Sequence, residues 1–298
     1  MTRRNALALL SSSLSRAAAR LPASQNVRWA VGASLWNFFP RGPFTDILDI
    51  MRATGFIGIR LTHFPEILNT YNMTAADLHR EVSKRGLHIV TISFNGPAWD
   101  PAQRTRILQD ARTAMAFLAD FGAKHLVVFS PSRRPATADI ETDFKAMCDS
   151  FNAIGELAAG LGFRAGLHNH LGQMAESSVE VDRVMALTDP KLFHFSPDTA
   201  HLHLAGIDVA PCLDKHKSRI MLLDYKDAKR AGLTKDFRPN IYDLGDGEVD
   251  FPACHRVLQS IAYKGWIVVD LDIARKGPRA SYVRCGEYIV KTLEAVYV

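Results

Sequence analysis

The 298-residue sequence predicts an α/β chain folded as a single (β/α)8 barrel, and three observations carry that expectation. Short apolar runs, many of them β-branched, alternate with longer amphipathic stretches, as strands and helices do around a parallel sheet. Eight such runs can be marked, the number a closed barrel needs. The last four end at or just before Asp, His or Lys. Polar side chains at the C-terminal ends of barrel strands are where such folds keep their active sites.

Taken in order, the expected strands are 29–36, 56–61, 88–94, 125–129, 163–167, 192–195, 220–223 and 265–269. The clearest helices are 102–121, with Ile107, Leu108, Ala111, Ala114, Met115 and Leu118 at helical spacing, and 139–161, with Phe144, Met147, Phe151, Ile154 and Leu157. Gly55, Gly86, Gly122, Gly162 and Gly265 each follow a helical pattern, where helix-terminating glycines belong. A doubly wound open sheet is the alternative, but no G-x-G-x-x-G follows the first strand, which weakens a dinucleotide-binding version.

Hydrophobic residues make up 47% and charged residues 22%, ordinary for a globular protein. Six arginines (3, 4, 16, 20, 28 and 41) precede the first acidic residue, Asp46, and the chain from Asp46 onward holds 30 basic against 31 acidic residues. A nucleic-acid partner, which needs a basic face, is therefore not expected. Residues 1–28 read as a leader and 29–298 as the barrel. Thr2-Arg3-Arg4 before a short apolar run resembles a twin-arginine export signal and would make the protein periplasmic; a mitochondrial transit peptide, or a leader without an address in a cytoplasmic protein, are the other readings. No later segment is long and apolar enough to span a membrane. The four cysteines, Cys148, Cys212, Cys254 and Cys285, form no C-x-x-C pair and read as buried thiols; Cys212 and His216 have a zinc-like interval without a second pair. The oligomeric state is open, a homo-oligomer included.

Four strand ends carry the candidate site: His168 with His170, Asp198 with His201, Asp224 with Lys226, and Asp270 with Asp272. Residues two apart in a strand face the same way, so each of the pairs two apart can turn into the barrel mouth. Carboxylates converging on one point repel, and a divalent cation (Mn, Mg, Zn, Fe or Co) resolves that repulsion with mixed O/N ligands. Such an ion polarises a carbonyl or hydroxyl while a flanking His or carboxylate moves a proton, chemistry suited to polyols and keto-sugars. His125 and His194 read as structural, and Asp227 as a loop cap beyond Lys226.

The body resembles the xylose isomerase-like TIM barrel superfamily of sugar isomerases and epimerases, especially its inosose dehydratase-like branch. The resemblance rests on Leu167-His168-Asn169-His170-Leu171-Gly172 with Glu176, Asp198-Thr199-Ala200-His201, Asp224-Tyr225-Lys226-Asp227, 244–251 and 265–272. It implies a metal-dependent isomerase, epimerase or dehydratase (a lyase) acting on a sugar, keto-sugar or cyclitol through an enediolate-like intermediate. The metal would be held by groups from strands five to eight: His168 or Glu176, Asp198, Asp224 and Asp270. His170 or Glu176 would take the proton, and Lys226 would supply positive charge or a proton. His201, Arg230, Trp36 and Arg60 would contact substrate. Asp224 stands where the family has His, Asp270 where it has Glu, and Arg60 at a strand-two position that is often Glu. These departures leave two further readings: a site without metal, with Arg60, Lys226 and Arg230 in the mouth, or a non-catalytic carbohydrate-binding barrel. An endonuclease-IV-like role is disfavoured, because its richer His/Glu set is missing.

Overall fold

The computed structural model describes residue 21 and residues 25–38, 43–135 and 138–298. Most of the expected leader lies outside these residues. Its last two, Val27 and Arg28, already belong to the first strand, and Leu21 is buried beside Gly55.

Eight parallel strands form one curled sheet: β1 Val27–Gly32, β2 Gly58–Leu61, β3 His88–Phe94, β4 His125–Phe129, β5 Arg164–His168, β6 Phe193–Phe195, β7 Leu223–Tyr225 and β8 Gly265–Val269. β1 pairs with both β2 and β8, and β8 with β7. Isolated parallel bridges, Phe195 to Ile220 and Asp198 to Asp224, join β6 to β7 and close the ring. Between β2 and β3 the register slips by one residue at Ile59/Arg60. Such a bulge re-aims neighbouring side chains, and here it lies beside Arg60.

The expected helices are found as Arg104–Asp120 and Ile140–Gly160, the second capped by Asp139, whose carboxylate accepts from the Thr142 N–H at 3.1 Å. Gly55, Gly86, Gly122 and Gly162 all have positive φ, as their helix-ending role requires. Gly265 does not play that role. It opens β8, and the turn before it is made by Ala262 at φ 47°.

Two strand expectations shift. The first strand ends at Gly32, and Ser34–Phe38 is helical, because Leu35 and Trp36 are the buried face of a turn rather than strand positions. The seventh begins at Leu223 rather than at Ile220 and carries Asp224 inside it, a buried polar group tolerated there because Arg60 meets it. After β7 an antiparallel ribbon, Asp227–Ala228 with Ile241–Tyr242, lifts the intervening loop over the barrel mouth. All four cysteines are free, three of them buried and Cys212 partly so. His216 bonds Asp182 at 2.8 Å instead of joining Cys212. Among the described residues no helix is long and apolar enough to cross a membrane.

Candidate active site

A cavity of about 530 Å3 opens at the C-terminal ends of the strands, within the size range of small-ligand sites. Its polar floor comes from four strands: Arg60 rises from β2, Lys226 follows β7, Asp270 and Asp272 follow β8, and His168 ends β5. Asp198, after β6, is wholly buried beneath it. Asp198 divides its labour. One carboxylate oxygen caps the helix Thr199–Leu204, accepting from the N–H groups of Ala200 and His201 at 3.0 and 3.1 Å, while the other faces the site.

Two buried cations hold the acids. Arg60, 1% exposed, places Nη1 on Asp224 Oδ2 and Nη2 at 2.9 Å from Asp270 Oδ2. The Lys226 ammonium lies 3.1 Å from Asp198 Oδ2, 2.6 Å from Asp270 Oδ2 and 3.0 Å from Asp272 Oδ2. Ser34 Oγ donates to Asp270 Oδ2 at 3.1 Å. Gly32 makes room for this carboxylate, since a β-carbon there would fall 1.9 Å from Asp270 Oδ1. Asn169 and Thr199 brace the strand ends: Asn169 Oδ1 accepts from the Asp198 N–H at 3.0 Å, and Thr199 Oγ1 donates to the Lys226 carbonyl at 2.8 Å.

Burial sets the protonation pattern. It pushes Asp224 well above the usual carboxylate range, with Arg60 only partly offsetting it, raises Asp198, and raises Asp272 to about 6. Asp270 is also desolvated, but Lys226 and Arg60 together hold it below the ordinary range. Burial of Lys226 is outweighed by Asp198, Asp270 and Asp272, so it stays protonated. Burial keeps His168 and His201 neutral and pulls His170 down to about 4.

His170 lines the cavity, and its Nδ1 lies 2.7 Å from the Leu171 carbonyl. A carbonyl oxygen can only accept, so Nδ1 carries the proton and Nε2 keeps a free lone pair. The ring packs on His201 at 3.7 Å between centroids, and Phe237 of the lifted loop abuts both rings.

The sequence expectations divide. His168, His170, Lys226, Asp270 and Arg60 line the cavity, and Asp198 and Asp224 lie buried beneath it against Lys226 and Arg60. His201 is likewise buried, behind His170. Glu176 is not at the mouth. Its carboxylate accepts from the Gly172 N–H at 2.8 Å and pairs with Arg133 at 3.3 Å, whereas His168 and His170, the alternatives to it, line the cavity. Arg230 is exposed and donates to the His203 carbonyl at 2.7 Å, away from the cavity. Trp36 stacks on Tyr282 at 5.6 Å and lines a separate cavity, since the helical turn swings it off the strand. Ser34, Asn169, Thr199 and Phe237 were not singled out from the sequence. Asn169, between two site histidines, carried a signal; Phe237 carried none.

Asp227 does the structural work expected of it. Its carboxylate accepts four backbone N–H groups, from Ala228, Gly245, Gly247 and Val249, at 2.9–3.1 Å. Asp227→Ala strands them, and unfolding in urea is expected to show a loss of about 2 kcal/mol.

His168, Asp198 and Asp224 each offer one ligand atom within 4.8 Å of the others, a group of the kind that holds a metal ion. As folded, the group does not fit a dication. The Asp198 and Asp224 oxygens that face His168 are the same Oδ2 atoms that Lys226 and Arg60 hold. An ion at ligand distance, about 2.0–2.2 Å from each, would sit against both fixed positive charges.

Residues 48–284 match the family model described as xylose isomerase-like TIM barrel. An inosose dehydratase from Geobacillus thermodenitrificans is 27% identical, over 84% of this chain and 89% of its own. Among solved structures, the probable 3-DHS dehydratase AsbF of Bacillus anthracis is similar with a TM-score of 0.74 at 14% identity, covering 88% of this chain and 98% of that one. The IolI protein with a bound zinc atom gives 0.73 at 14% identity, covering 91% and 99%.

Proposed function

The chain belongs to the xylose isomerase-like TIM barrel family, and from that membership and the site's geometry we infer an isomerase, epimerase or dehydratase acting on a sugar, keto-sugar or cyclitol. The observation that carries the reading is His170: a neutral imidazole on the cavity wall, its Nδ1–H tied to a carbonyl and its Nε2 free. That is the arrangement of a general base. Its neighbours Ser34, Thr62, Ser93 and Gln173 give the cavity the donors and acceptors that a polyhydroxylated ring needs. The inosose dehydratase likeness supports the same substrate class.

In the reaction, His170 Nε2 takes the proton from the carbon next to a substrate carbonyl. The C–H electron pair becomes a C=C bond, and the carbonyl π pair moves onto oxygen. The resulting enediolate faces Lys226 and Arg60, the cations lining the cavity floor. Returning the proton to the carbon it left, on the opposite face, re-forms the original carbonyl and gives the epimer; giving it to the former carbonyl carbon, while the neighbouring hydroxyl proton passes to the first oxygen, gives the isomer. Delivering it to a hydroxyl on the neighbouring carbon releases water and gives the dehydrated product.

The test is deuterium exchange into inososes and keto-sugars in D2O, followed by NMR, with mass spectrometry for loss of water. Absence of both exchange and product across those substrates sinks the reading. His170→Gln is expected to lower kcat/KM by roughly 10²–10⁴-fold. Because a base is lost when protonated, and His170 is held at about 4 by burial, its limb of the wild-type kcat/KM profile should lie near pH 4, below any step from Asp272 at about 6. A profile of residual His170→Gln activity that keeps the limb near pH 4 would remove His170 from the role.

A further inference from the structure

We propose that Arg60 and Lys226 together are a built-in substitute for a divalent cation, so that this site works without metal. Three observations carry the proposal. First, the carboxylates of the metal-ligand set expected from the sequence are already bridged by protein cations: Asp224 and Asp270 by Arg60, Asp198 and Asp270 by Lys226. Second, neither cation has room to withdraw. Arg60 is 1% and Lys226 2% exposed, and the β2/β3 register slip lies at Arg60, as though the strand were shaped to aim it. Asp270 in turn is fixed by Ser34 and by the missing side chain of Gly32. Third, both cations line the cavity floor beside His168 and His170. A substrate oxygen arriving there meets the fixed positive charge of an ammonium and a guanidinium.

The two cations divide the task a metal would have. Held by three carboxylates, the ammonium is a compact charge able to sit on a developing oxyanion. Arg60 fixes the charge of Asp270 and donates to Asp224, so neither side chain can turn towards an incoming ion. Their electrophilic role rests on the proton-abstraction reading above. The exclusion of metal does not, because it follows from the packing.

The experiment uses the full chain, dialysed against EDTA. Metal content is read by plasma mass spectrometry, Mn2+ and Zn2+ binding by titration calorimetry, melting temperature with and without chelator, and α-carbon deuterium exchange in the same samples. Expected are metal content well below one ion per chain, a melting temperature indifferent to chelator, and undiminished exchange. Arg60→Glu replaces the bridging cation by a ligand, and it should gain Mn2+ affinity on the order of tenfold or more over wild type, with a melting temperature that Mn2+ raises. If Arg60→Glu does not fold, Arg60→Gln, which removes the charge alone, should show the same gain in weaker form. Near-stoichiometric Zn or Mn in wild type, with melting temperature or exchange falling on chelation, overturns the proposal. So does a folded Arg60 variant that binds Mn2+ no better than wild type. If no sample exchanges deuterium under any metal load, the reaction reading fails, and the metal titrations by themselves decide the proposal.

Discussion

Lys226→Met is expected to destabilise the protein by about 3–5 kcal/mol, the cost of removing one partner from a buried ion cluster, and to abolish deuterium exchange. The ammonium lies within 3.1 Å of three carboxylates, and the residue is 2% exposed. Methionine fills a similar volume but leaves Asp198, Asp270 and Asp272 facing an apolar group. Asp270 keeps Arg60 and Ser34, but Asp198 and Asp272 lose the ammonium, and burial then favours their protonated forms. The pH dependence then has a definite sign. Asp198 and Asp272 already titrate above their unfolded range, and losing Lys226 raises these two further and lifts Asp270 from its lowered value. A carboxyl with a raised folded value holds its proton in the native state. It therefore costs stability as pH rises from the unfolded value near 4 through the folded one. Thermal melts of variant and wild type should consequently diverge more at pH 8 than at pH 5. A gap that does not depend on pH would mean that Lys226 is a packing element and not the counter-ion of the cluster.

Much of this site could be read in the sequence, because strand periodicity fixes which residues share a face. His168 with His170, Asp224 with Lys226 and Asp270 with Asp272 each lie two apart, and all of them but Asp224, which lies buried beneath it, do reach the mouth. What periodicity cannot supply is the partner across the ring. Arg60 stood out as an arginine at a position the resemblance fills with Glu, but its role depends on Asp224, 164 residues away, and on barrel closure. Glu176 read as a ligand because it follows the strand-five histidines. It is taken instead by Arg133 and a loop N–H, contacts made possible by the bridge between Ser132 and Gln173. Trp36 was misplaced for a different reason. An apolar run is consistent with a strand or a buried helical turn, and the turn that begins at Ser34 also delivers the hydroxyl that anchors Asp270.

Asp270→Asn and Asp224→Asn should have very different consequences, although both aspartates sit on adjacent strands and both pair with Arg60. Four buried carboxylates face two cations, so all four cannot be ionised cheaply. Geometry assigns the charge. Asp270 Oδ2 meets Arg60, Lys226 and the Ser34 hydroxyl, whereas Asp224 Oδ2 has Arg60 as its cation, with His168 at 3.7 Å. Asp270 is accordingly held below, and Asp224 pushed above, the usual carboxylate range. Asparagine is a neutral near-isostere of a carboxylic acid. At Asp224 it imitates the favoured state and should cost no more than about 1 kcal/mol. At Asp270 it withdraws charge from both cations at once and should cost about 3 kcal/mol or more. Wild-type stability owed to Asp270 is present above the unfolded carboxylate value and lost on acidification, so the deficit caused by Asp270→Asn should shrink toward low pH. Urea unfolding of wild type and both variants at pH 7 and at about pH 2.5, below the unfolded carboxylate value near 4, reads these losses. Equal losses at pH 7 would mean that Asp224 is ionised as well, and that Arg60 is shared evenly between the two carboxylates.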